Sequence, residues 1–334
     1  MRLPRPIWPW PFAVKHMTNR ERFIKALRRE PLTGLVPTFE LVFYLTMEAI
    51  GKVHPSQRIF SQWDQMSAKE KEVQFADMAD TYILTAEKYS HSAIFVHPNP
   101  SDFDSTIRIL ESIREKTDDE YFLMMHGDPT FSIPDGHRMM EFTTRMYEKP
   151  DELKKSAENR LAISIEFAEK MSAYPGLLDG FALCSDYCFN VNPFFSPAMF
   201  EEFIAPYLAR VIDAYRSMGY YTIKHTDGNI MPIAGQMVDC KPDAIHSLDP
   251  QGGVSLTEMR RLYSDKVALI GNVNCGLLQT GSEEECRADV LRSLKEGMAG
   301  YGYVFSTSNC AYTGLALERY EMMIDLWRQF GVYT

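Results

Sequence analysis

His225 and Asp227 lie two residues apart in YYTIKHTDGN, where an aromatic and β-branched run breaks into a histidine, an aspartate and a glycine. A histidine there can act as general acid or base, or offer a neutral ring nitrogen to a metal. A neighbouring carboxylate can orient the ring or bind a hydroxyl or amine of a ligand. The competing reading is a capping histidine followed by a turn. Gly228 and Asn229 already supply the turn chemistry, which leaves the two ionisable groups for function. Asp186, closing FALCSD, could likewise move a proton or position a substrate cation, with helix capping as its alternative role. Cys310, in STSNC, could join His225 on a metal as a thiolate, or be a small buried hydrophobe. Cys275 in GNVNCG reads as part of a tight loop, and Cys184 and Cys188 as core.

These residues share a position: each follows a short apolar run. Eight such runs cover residues 35–40, 92–97, 121–126, 178–186, 220–225, 243–248, 267–273 and 303–308. Helical patterns separate them. In residues 196–219 Ser196 caps, Pro197 takes the first helical position, Gly219 stops the run, and Pro206 should kink the middle. Thr18 with Glu21 and Ser282 with Glu285 have the spacing of capping boxes. Strands alternating with helices imply parallel βαβ units, and eight of them predict one α/β domain over residues 18–334, a (β/α)8 TIM barrel. Residues 41–91 form a helical insertion after the first strand, and residues 1–17 an arm whose Trp8, Trp10 and Phe12 pack on the body or on a second subunit in a homodimer.

A barrel carries its active site at the carboxyl ends of its strands. Glu40, His97, His126, Asp128, Asp186, His225, Asp227, Asp249, Asn272, Asn274, Cys275, Ser308 and Cys310 all fall there. His225, Asp227 and Asp186 are the expected catalytic groups; Glu40, His126, Asp128, Asn272 and Asn274 are expected to bind substrate; His225 and Cys310 are the candidate metal ligands.

A formal charge of -10 over 334 residues opposes a nucleic-acid partner and a polyanionic small substrate. No apolar run approaches the ~20 residues that span a bilayer, so no membrane association is expected. Six cysteines without a Cys-x-x-Cys pair suggest reduced, cytoplasmic thiols. No Gly-rich phosphate loop is present, since GYGYV lacks the strand, turn and helix that such a loop joins.

The segments SDYCFNVNPFFSPAMFEEFIAPY, KHTDGN, VALIGNVNCGLLQTGSEEE and STSNCAYTGLALERYEMM resemble the uroporphyrinogen decarboxylase superfamily, which includes corrinoid-dependent methyltransferases. The resemblance covers roughly residues 18 to 331 and implies a (β/α)8 barrel. Genuine uroporphyrinogen decarboxylases carry an arginine-rich stretch of the RQAGRYLPEY type that holds the acidic side chains of the porphyrinogen. Here the corresponding region reads VPTFELVFYLTMEAIG, with two glutamates and no arginine. That difference turns the expectation towards a methyltransferase acting between a small methylated compound, or tetrahydrofolate, and a corrinoid (methylcobamide) on a partner protein. Uroporphyrinogen decarboxylation is the alternative, and a ligand-binding barrel without chemistry is a second one. The methyltransferase branch often binds zinc through a His-x-Cys pair and a distant Cys. This chain matches at His225 and Cys310 but has Asp227 at the first Cys position, which leaves a harder ligand set for zinc.

Overall fold

A computed structural model describes residues 17–333. Seven parallel strands pair in chain order: β2 (Ala93–Val96), β3 (Phe122–His126), β4 (Gly180–Leu183), β5 (Tyr221–His225), β6 (Ala244–His246), β7 (Ala268–Ile270) and β8 (Tyr303–Val304). The expected first strand takes a different form. Its beginning, β1 (Gly34–Leu35), pairs antiparallel with a C-terminal β9 (Val332–Tyr333). Past Pro37, which has no N–H to give a ladder, Thr38 makes only an isolated parallel bridge to Phe305. Residues 37–39 still close the α/β barrel: the Phe305 amide donates to the Pro37 carbonyl at 2.9 Å and the Ser92 amide to the Thr38 carbonyl at 2.6 Å.

Strand side chains alternate between the barrel interior and the surrounding helices. Ala93, Phe95, Phe122, Met124, Ile223 and Ile270 belong to one apolar cluster, joined by Phe23 from the helix Asn19–Leu27. The intervening positions pack outward under the helices in a larger second cluster. Helix Asn19–Leu27 is capped by Thr18 and Glu21 as the spacing predicts, and Ser282 with Glu285 caps Glu283–Gly297 in the same way. The insertion is partly helical. Its main element, Ala68–Tyr89, opens on a third capping box, Ser67 with Glu70. The kink expected from Pro206 is a complete break, with helices Pro197–Phe203 and Ala205–Ser217 separated at Ile204. Pro206 removes an amide donor and crowds the preceding turn, so the second helix must restart around it. No helix of the described residues is long and apolar enough to cross a membrane. Trp8, Trp10 and Phe12 lie outside the described residues.

Candidate active site

Alternation along β5 and β6 decides which side chains meet at the mouth. Ile223 points inward, so His225 does too; Ala244 points inward, and with it His246, which the pairing register sets directly beside His225. The two Nδ1 atoms are 2.8 Å apart. At that distance one ring donates and the other accepts, so the pair cannot carry two protons on those atoms. Burial pushes His225 down to about 4, and burial together with the His225 charge pushes His246 well below the usual histidine range. Both rings are therefore neutral near pH 7.

His225 Nε2 faces two carboxylates, 3.8 Å from Asp186 Oδ1 and 3.7 Å from Asp227 Oδ1. The loops after β4 and β5 hold each other: the Asp227 amide donates to Asp186 Oδ1 at 3.1 Å, and Gly228 follows in a left-handed conformation at φ +79°. A Cβ on Gly228 would lie 2.5 Å from the Phe189 carbonyl oxygen, so only glycine lets these loops approach. Asn309, from the loop after β8, donates to Asp227 Oδ2 at 2.5 Å. Asp227 Oδ1 is buried without a hydrogen-bond partner among the described residues. Burial, reinforced by the Asp186 and Asp249 charges, raises the Asp227 carboxyl to about 7. Near neutral pH the site thus offers a neutral histidine and an acid that can still give up a proton.

A cation fits the same atoms. One ligand atom from each of Asp186, His225 and Asp227 lies within 4.8 Å of the others, and the orphaned Asp227 oxygen is a ready acceptor. Cys310 is not part of this group. Its thiol is held well above the ordinary range by burial and by the Cys275, Glu40 and Asp227 charges, so without a cation beside it the thiol stays protonated.

The remaining rim residues divide by what they already do. Glu40 is buried, receives Thr307 Oγ1 at 2.5 Å, and is pushed up to about 8 by burial. His126 stands exposed at the end of β3. Asp128 is committed to the scaffold: it accepts from Lys224 Nζ at 2.8 Å, the Thr130 amide and the Ser185 amide at 2.9 Å each, and Thr130 Oγ1 at 2.5 Å. Lys224 also donates to the Leu183 and Ser185 carbonyls and lies 4.0 Å from the centre of the Tyr187 ring. Asn272 Nδ2 donates to the Leu248 carbonyl at 2.9 Å and its Oδ1 accepts from Arg292 at 3.2 Å. Asn274 caps helix Cys275–Thr280, and Asp249 caps the short turn Pro250–Gly252.

His246, Lys224 and Asn309 escape the sequence reading. For His246 a signal existed, since it closes the apolar run DAIH as His225 closes YTIKH. Lys224 within a strand reads as solvated, and its buried partner is 96 positions away.

The family model for uroporphyrinogen decarboxylase (URO-D) matches residues 130–330, which include Asp186, His225, Asp227 and Cys310. Among solved structures, a methyltransferase from Methanosarcina mazei is similar with a TM-score of 0.71 at 18% identity, over 94% of this chain and 99% of that one. D-psicose 3-epimerase from Clostridium cellulolyticum H10 reaches a TM-score of 0.44 at 12% identity, over 74% and 89% of the two chains, and carries no argument. No curated protein matches.

Proposed function

The chain belongs to the uroporphyrinogen decarboxylase family, and on that premise we propose that it is a methyltransferase acting between a small methylated compound, or a folate, and a corrinoid carried on a partner protein. The observation that carries the proposal is the convergence of His225 Nε2, Asp186 and Asp227 at the mouth of the barrel. The fold shared with the Methanosarcina mazei methyltransferase is compatible with it.

When a methyl group leaves oxygen or nitrogen, the electron pair of the broken bond stays on the leaving atom, which then needs a proton or another positive partner. Asp227 has that proton available near neutral pH, while Asn309 holds its other oxygen in place. With the shared proton on its Nδ1, the neutral His225 offers Nε2 as an acceptor, and half-buried Asp186 can face a positively charged amine or sulfonium group. A zinc ion, if held by Asp186, His225 and Asp227, would supply Lewis-acid polarisation of the leaving atom. The corrinoid partner would supply the cobalt that exchanges the methyl group. Porphyrinogen decarboxylation fits less well, because residues 36–51 supply no arginine to hold the carboxylates of an octa-acidic substrate.

The test mixes the purified protein with a reduced corrinoid protein and a panel of methyl ethers, methylamines and methyl-folate, following the cobalt spectrum. Methylated cobalt from one donor is expected. Carbon dioxide release from uroporphyrinogen, with no cobalt methylation from any donor, reverses the assignment.

A further inference from the structure

We propose that the cleft walled by Arg138, Arg145 and Arg160 is a second subsite, which takes an anionic group, carboxylate or phosphate, of the ligand whose reacting end lies at Asp186 and His225. The identity of that ligand rests on the methyl-transfer reading; the charge of the group rests on the cleft alone.

The cleft encloses 310 Å³ beside the loop that follows β3, with Phe131 and Phe142 as its apolar wall. In a chain of net charge -10, three guanidinium groups gather here against two carboxylates, Asp135 and Glu141. Arg138 is ion-paired with Asp135. Arg160 donates to the Pro129 carbonyl at 2.7 Å and the Thr130 carbonyl at 2.8 Å, and stacks 5.4 Å from the Phe131 ring centre. Those partners take two of its five N–H groups and leave its positive charge uncompensated. Arg145 is half-buried, and its side chain makes no ion pair or hydrogen bond with any described residue. A guanidinium fork left without a partner in a part-buried cleft matches the planar, two-oxygen face of a carboxylate or phosphate.

One wall of the cleft, the loop of Ser132 and Ile133, is hydrogen-bonded to the main chain of Asp186. Ser132 Oγ accepts from the Asp186 amide at 2.8 Å, and the Ile133 amide donates to the Asp186 carbonyl at 2.9 Å. A ligand lying across this wall meets acidic side chains, Asp186 and Asp227, at one end and arginines at the other. Repulsion at the first and attraction at the second fix its direction: the anionic tail goes to the arginines, and a neutral or cationic methyl-bearing end goes to His225.

Direct binding of inorganic phosphate, glutarate and tricarballylate to the full chain, measured by calorimetry, tests this without any catalytic readout. Arg145→Gln is expected to weaken the preferred anion about tenfold, with Arg145→Lys in between, as for loss of one charge-assisted pair. Preference for phosphate identifies a nucleotide-type tail, and preference for glutarate or tricarballylate a polycarboxylate tail. Absence of binding to wild-type protein, or binding that Arg145→Gln leaves unchanged in a variant with a wild-type circular dichroism spectrum, overturns the subsite. Arginine-dependent binding without methyl transfer from any donor would retain the subsite and remove the methyltransferase reading.

Discussion

His225 and His246 face each other through their Nδ1 atoms at 2.8 Å, on neighbouring strands in direct register. The contact couples the tautomers of the two rings: when the Nδ1 of His225 carries the shared proton, its Nε2 is a free lone pair aimed at Asp186 and Asp227. His246 is thus a positioning residue. His246→Ala should lower kcat by roughly 10- to 100-fold with little change in KM, the usual cost of removing a partner that orients a reactive imidazole. His246→Asn, whose amide can still meet the His225 ring, should recover much of that loss. Equal activity of the two variants would reduce His246 to packing.

The buried ion pair Lys224–Asp128 predicts a strong stability effect outside the chemistry. Both side chains are fully excluded from solvent, at 0% exposure. Lys224→Met strands the Asp128 carboxylate and should cost roughly 3–5 kcal/mol in urea unfolding. Adding Asp128→Asn removes the stranded charge and should restore most of it. A single variant within about 0.5 kcal/mol of wild type would contradict this account.

Glu40 makes stability fall with rising pH. Its folded-state value of about 8 lies far above the ordinary carboxylate value, so the folded chain holds a proton that the unfolded chain releases. The resulting stabilisation is complete below about pH 4.5 and is lost at roughly 1 kcal/mol per pH unit until about pH 8, where the folded state also ionises. Glu40→Gln should flatten that slope. Parallel stability-versus-pH curves for the two proteins between pH 5 and 8 would refute the assignment.

Metal retention separates the two candidate ligand sets. Zinc titrated against a competing chelator should bind at least tenfold more weakly to His225→Ala and to Asp227→Asn, whereas Cys310→Ser should be unaffected. Dependence on Cys310 instead would restore the thiolate-containing set that the His225 and Cys310 positions suggest in the sequence.

Much of the architecture is written in local patterns. Apolar runs ending in polar residues mark the barrel strands and their chemical rim, and side-chain-to-backbone caps at Thr18 and Ser282 mark helix starts, because both depend on neighbours a few positions away. The same locality explains the juxtaposition of His225 and Asp227. What sequence alone leaves undecided are relations that close over long separations. Asp128 and Asn272 read as rim residues like any other, yet Lys224, and Leu248 with Arg292, already occupy them. Glu40 finds Thr307 and Asp227 finds Asn309 only once the barrel has closed. Burial and register, which are properties of the closed barrel, decide which of these chemically able side chains are consumed in holding it together and which remain free to act.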